Sequence, residues 1–207
     1  MAAYGRPSLR DLFDESPTPH IAHPPRTHHR DFYVATDGSF RKDSGGLGVV
    51  IETRDGECVA RLALDQPVPD NNVAEYRALH LGLDVLAERT PPDARVGVLI
   101  DHDQLASNVN AAVLDACRPA ATSPHQLVVP PATTNHWRGI RARINGFGEI
   151  RAARIASGDN PAHPLANAPG EYAHVNDGPD RCVRPEPLSS GDRSVPPPSR
   201  SDRGASD

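Results

Sequence analysis

Two short apolar runs, each ending on an aspartate, constrain this chain most. "FYVATD" closes at Asp37 and "RVGVLID" closes at Asp101. The first reads as a half-buried strand, and the second, a continuous apolar run, as a buried strand beside it in an α/β sheet. Between them, "GLGVVIET" and "CVARLAL" read as two further strands, joined by "RDGE", whose Asp-Gly pair is a strong hairpin signal. From Asn72 the period becomes helical, with Tyr76, Leu79, Leu83 and Leu86 at steps of three and four, until "TPPD" breaks it. After Asp101 come a helix through "QLASNVNAAVLDAC", a second over "HWRGIRARING", a strand in "EIRAARI" and a short helical turn in "NPAHPLAN". In that turn Asn160 is expected to cap and Pro161 to take the first helical position. Three strands, helix, strand, helices, strand, helix is an α/β order with a mixed sheet.

The 207 residues suit one core with tails to spare. Proline crowds "SPTPHIAHPP" before residue 30 and "RPEPLSSGDRSVPPPSRSDRGASD" at the end, and neither stretch has the apolar content to pack. The expected organisation is a flexible extension over 1–30, a folded domain over 31–170 and a disordered tail over 171–207. With 22 Lys+Arg against 27 Asp+Glu the net charge is -5, so any polyanion site must be local. Cys58, Cys117 and Cys182 are odd in number and widely spaced, which fits no disulfide framework and suggests a reducing cytoplasm. No stretch approaches membrane-spanning length. His20, His23, His28, His29 and His174 lack metal-site spacing and read as loop residues.

If the strands ending at Asp37 and Asp101 are parallel neighbours, both carboxylates open on one sheet edge, where ligand crevices form. Glu75, in the first turn of the intervening helix, is the third candidate. Carboxylates crowded together raise one another's pKa unless cations neutralise them, and Mg²⁺ or Mn²⁺ suits oxygen ligands. Other readings stand beside this one. Asn72 to Glu75 is also a capping-box pattern, Asp37-Gly38 is also turn chemistry, and Asp101 is also a helix cap. Asp103 in "DHDQL" is a second candidate for the place of Asp101. Gly38 and Ser39 would let a backbone approach a phosphate closely.

"DGS" after a first strand, "NNVAEYRAL" opening a helix, an aspartate ending the next long strand and "NPAHPLAN" near the end resemble type 1 ribonuclease H, over roughly Phe32 to Ala168. The resemblance implies a five-stranded mixed sheet flanked by helices. It also implies a two-metal endonuclease acting on the RNA strand of RNA/DNA hybrids. Carried over position by position, Asp37, Glu75 and Asp101 would be catalytic metal ligands, and Asn71 and Asn72 would face the minor groove. The family's fourth carboxylate is replaced here by His163, a nitrogen donor that would favour Mn²⁺, or else a residue that only packs. Asp159 is the nearby alternative carboxylate. A catalytically weakened binding module is the rival function, while an acidic 3′-5′ exonuclease would need an Asp-x-Glu pair that "TDGS" lacks.

Two segments carry separate expectations. Arg138, Arg141, Arg143, Arg151 and Arg154 face Glu149 alone in the sequence and, with Trp137 as an aromatic surface, make either a phosphate grip or a solvated face. In "RPSLRDLF", Ser8 can cap a turn that gathers Leu9, Leu12 and Phe13. That plug over residues 6–13 is similar to a sliding-clamp docking peptide, with Arg6 where glutamine is usual; the alternative is a helix folding back on its own domain.

Overall fold

The structure is a computed structural model and describes residues 6–19, 30–42, 44–91, 93–117 and 127–175. The disordered tail expected over 171–207 fails at its start, where residues 171–175, His174 among them, belong to a helix; its remainder, the histidines at 20, 23, 28 and 29, and Cys182 lie outside the described residues. The elements are α1 (Leu9–Glu15), β1 (Phe32–Arg41), β2 (Ser44–Thr53), β3 (Cys58–Asp65), α2 (Asn71–Arg89), β4 (Arg95–Ile100), α3 (Asp103–Cys117), a 3₁₀ turn (Pro131–Thr133), α4 (Thr134–Gly146), β5 (Glu149–Arg154), α5 (His163–Asn167) and α6 (Pro169–Val175).

The strands form one mixed sheet in the order β3-β2-β1-β4-β5. β1 pairs antiparallel with β2 and parallel with β4, in a register that sets Thr36 opposite Ile100. β5 is parallel to β4, and the β2–β3 turn places Gly56 at φ 83, as the Asp-Gly signal anticipates.

Alternation along the strands sorts two cores. Val34, Val49, Val98 and Ile100 face α2, α3 and α4, where Tyr76, Leu79, Leu83 and Leu86 are buried. Tyr33, Ala35, Val50 and Leu99 face the other way and meet Ala162 and Leu165 of the α5 region. Leu9 and Phe13 of α1 are buried in this second core.

The sequence reading of a flexible extension therefore fails for residues 9–15. Ser8 and Asp11 form a capping box, the Leu9 amide donates to the Glu52 carboxylate at 2.8 Å, and Phe13 meets Tyr33 edge to face at 5.5 Å. Beyond the helix, Pro17 accepts from the Arg154 amide and Pro19 from the Asn110 side chain, each at 2.8 Å. The segment is a strap whose contacts run from β2 through β1 to β5. An apolar triplet that looks orphaned in sequence has its own sheet to bury it, so Leu9 and Phe13 are not available to a sliding clamp. Among the described residues no helix is long and apolar enough to cross a membrane.

Candidate active site

β1 does not stop at Asp37 as the sequence reading had it but runs on to Arg41, so Asp37 lies within the strand; Asp101 immediately follows β4, at the matched position of its parallel neighbour. Both share the odd-numbered face with Tyr33, Ala35 and Leu99, the face that α5 covers. Glu75 comes from α2 on the opposite face and meets them where Gly38 has no side chain. A Cβ on Gly38 would lie 2.2 Å from the Ala74 carbonyl carbon and 2.4 Å from the Glu75 nitrogen. Close approach of the α2 backbone, rather than of a phosphate, is what this glycine allows here.

The helix begins at Asn71 with Asp70 as its cap, whose Oδ1 accepts from the Val73 amide at 2.8 Å. The capping-box reading of Asn72 and Glu75 is thus displaced by a residue two places earlier. Glu75 is buried and accepts from the Gly38 amide at 3.3 Å.

α5 brings the fourth group. A Cβ on Gly48 would fall 2.2 Å from the Ala162 carbonyl oxygen, and one on Gly46 would fall 1.9 Å from that of Ala166. Gly46 and Gly48 stand opposite Ser39 and Asp37 in the β1–β2 register, so they clear a floor for α5 beside the acidic edge. Ser39 donates its hydroxyl to the Ala166 carbonyl at 2.6 Å, which ties it to the scaffold. Asn160 does not cap α5, whose N-cap is Ala162; its amide donates to the Thr36 carbonyl and its oxygen accepts from the Ala162 amide. The outcome is His163 Nδ1 at 3.3 Å from Asp37 Oδ2. The Asn167 amide nitrogen lies 3.1 and 3.2 Å from the two ring nitrogens of His163.

Asp37, Asp101 and His163 each offer a ligand atom within 4.8 Å of the others. Asp37 Oδ2 and Asp101 Oδ1 are buried with no hydrogen-bond partner. Burial first, and Asp101 second, push the Asp37 carboxyl up to about 8. Burial, with Asp101 and Asp37 beside it, pushes Glu75 up to about 9. Asp37 and Glu75 held protonated by burial, beside single buried oxygens of Asp37 and Asp101 that lack a hydrogen bond, are what a divalent cation would relieve, and the donor set fits one. Asp103 is exposed and pairs with Arg154, so it stands outside the cluster; Asp159 is exposed as well.

Asn71 and Asn72 are exposed beside this edge. Arg138 and Arg141 are exposed on α4, Arg138 donating to Asn135 and Arg141 lining a shallow recess with Asp115. Of the rest of the expected basic face, Arg154 is exposed and paired with Asp103, while Arg143 and Arg151 are taken up internally. Arg143 is buried against Asp84 at 2.5 Å, and Arg151 pairs with Glu149, which also holds buried Arg30. Trp137 is no surface aromatic: it is buried edge to face with Tyr76 at 6.2 Å.

Sequence reasoning missed His102. It caps α3, its Nδ1 accepting from the Leu105 amide at 3.1 Å, and its Nε2 lies 3.0 Å from Asn72 Oδ1. Burial lowers its pKa. The signal was a polar residue directly before the first helical position, in a stretch read only for its two aspartates. Ser157, also missed, donates to Asp101 Oδ2 at 2.8 Å.

The reverse transcriptase-like family matches this chain over residues 35–115. An N-terminal RNase H domain from Mycobacterium tuberculosis is similar at 23% identity, covering 66% of this chain and 95% of that one, with a TM-score of 0.53. LC11-RNase H1, in a complex with an RNA/DNA hybrid, is similar at 22% identity over 66% and 94%, with a TM-score of 0.51. RNase H1 of the archaeon Halobacterium salinarum is similar at 22% over 68% and 97%, with a TM-score of 0.50. Identities this low speak to the fold. No curated relative matches the chain.

Proposed function

We propose that this ribonuclease H-like chain is a divalent-metal endonuclease that hydrolyses the RNA strand of RNA/DNA hybrids. The observation that carries the reading is the convergence of Asp37, Asp101 and His163 within 4.8 Å, with buried Glu75 held beside Asp37 by the Gly38 amide. A similar fold in LC11-RNase H1 holds such a hybrid, which supports the substrate class.

Asp37, Glu75, Asp101 and His163 would hold Mg²⁺ or Mn²⁺. Two such ions, when bound, supply Lewis-acid activation of water and stabilise the leaving 3′ oxygen. The chain's own residues do the rest. Asp37 and Glu75 give up the protons that burial otherwise makes them keep. Ser157 and Asn167 orient Asp101 and His163. Asn71 and Asn72 meet the hybrid's minor groove, where 2′-hydroxyls distinguish RNA from DNA, and Arg138 and Arg141 add phosphate contacts. With one nitrogen in place of a carboxylate, the site carries less negative charge toward a hard ion.

The test is incubation of the full chain with a labelled RNA/DNA hybrid, duplex RNA and single-stranded RNA, with Mg²⁺ or Mn²⁺. Cleavage confined to the hybrid, leaving 5′-phosphate and 3′-hydroxyl ends and lost in Asp101→Asn, is expected. Tight hybrid binding with no cleavage under either metal would establish a binding module instead.

A further inference from the structure

We propose that His102 is a positioning residue that fixes the side-chain amide of Asn72 with its nitrogen outward, making Asn72 a hydrogen-bond donor to the minor groove of the hybrid. The inference rests on the functional reading above and adds a specificity element to it.

The Leu105 amide donates to His102 Nδ1, so that nitrogen carries a lone pair and the ring proton sits on Nε2. An N–H at Nε2 requires an acceptor, and the atom 3.0 Å away on Asn72 is therefore the oxygen. With Oδ1 turned to His102, Nδ2 is left for a partner from outside. Asn72 makes no other side-chain hydrogen bond among the described residues. The imidazole is itself held by an edge-to-face contact with Tyr76 at 6.3 Å. Tyr76 is anchored in turn by Asn108, whose Nδ2 donates to the phenol oxygen at 2.9 Å and to the Val128 carbonyl at 2.8 Å.

The consequence is chemical. An amide presented by its nitrogen offers hydrogens to purine N3, pyrimidine O2 or a 2′-oxygen. Acceptors of that kind occur at every base pair of a minor groove, so the contact is made without regard to sequence. Had the oxygen faced outward, it would have sought the guanine amino group and imposed a G·C preference.

The experiment has two arms on the full chain. In the free protein, ¹⁵N spectra of the imidazole are expected to show an Nε2–H tautomer for His102, and the Asn72 side-chain amide signals to shift in His102→Phe. In the second arm, hybrid affinity is measured with Ca²⁺ in place of a catalytic ion. His102→Phe is expected to weaken binding about five- to tenfold, the scale of one well-placed hydrogen bond. Asn72→Ala is expected to do the same, and the double variant no more than either single one. His102→Gln, which keeps a donor at similar reach, is expected to restore most of the affinity. An Nδ1–H tautomer, or Asn72 signals indifferent to His102→Phe, overturns the relay whatever the substrate is. Additive losses, or a loss in Asn72→Ala that His102→Phe does not share, overturn it too. A parent chain that shows the tautomer but binds no hybrid overturns the functional reading and the assignment of Asn72 to the groove with it.

Discussion

Gly38→Ala separates two accounts of the "DGS" stretch. If the glycine makes room for a phosphate, a methyl group there weakens substrate binding and leaves the free protein unchanged. The geometry argues for the other account, because the new carbon would sit 2.2 Å from the Ala74 carbonyl carbon. Carbon atoms rest at about 3.5 Å, so the first turn of α2 must retreat by about 1.3 Å. Backbone on both sides cannot rotate away as a side chain would, and overpacking of this kind costs about 1–3 kcal/mol or more. The retreat also stretches the 3.3 Å bond from the Gly38 amide to Glu75 and moves that carboxylate off the metal edge. A displacement of about 1 Å in a reacting constellation lowers rate on the order of 100-fold. Urea unfolding of the metal-free protein and steady-state cleavage of a hybrid together decide it. Stability within about 0.5 kcal/mol of the parent, the spread of inconsequential substitutions, with only KM raised, would refute the packing account.

The metal-free protein is expected to lose stability progressively from about pH 4, where the unfolded carboxylates ionise, up to about pH 9. Asp37 and Glu75 titrate near 8 and 9 in the fold against the ordinary carboxylate range when unfolded, so their contribution is full at low pH and lost as pH rises through those values. Thermal unfolding in a chelator checks this, read above the ordinary histidine range so that half-buried His80 and His136, whose pKa burial lowers, do not contribute, and Glu75→Gln should flatten the decline; a parent profile already flat there counts against the buried-carboxylate picture. His163→Asp is expected to improve the Mg²⁺ reaction relative to Mn²⁺, read as the ratio of kcat/KM with each ion, and an unchanged ratio removes His163 from the ligand set. Phe13→Ala should cost about 3 kcal/mol in urea unfolding, the scale of a lost buried aromatic, whereas a free peptide-like segment would show no change.

Long apolar segments made most of the fold legible. Strands covered on both faces and a 19-residue helix with four buried leucine or tyrosine positions carry enough periodic residues to be read without neighbours. Asp101 was legible for the same reason, since a buried run fixes where it stops, whereas the strand that carries Asp37 continues past it to Arg41 and the aspartate only breaks its apolar run. What escaped depends on partners far away in sequence. α1 has seven residues and no sustained period, so its docking is visible only once Glu52 and Tyr33 are placed beneath it. Gly46 and Gly48 sit inside "GLGVVIET", which reads simply as a strand, and their purpose appears only when α5 lies across them. Trp137 and Arg143 looked like surface residues because helical spacing gives the faces of α4 but not which face meets α2.

The strap has a consequence for the order in which the chain acquires its shape. Residues 8–19 leave the ribosome before any strand does, yet their last partner, the Arg154 amide, belongs to the final strand of the sheet. Leu9 and Phe13 must wait, uncovered, while nearly the whole domain is synthesised, and a contact between ends so far apart closes slowly and late. What docks last on a completed sheet is also what detaches first when the molecule breathes. The interval during synthesis, rather than the finished fold, is when these two side chains are most exposed to a chaperone or to the same segment of another nascent chain.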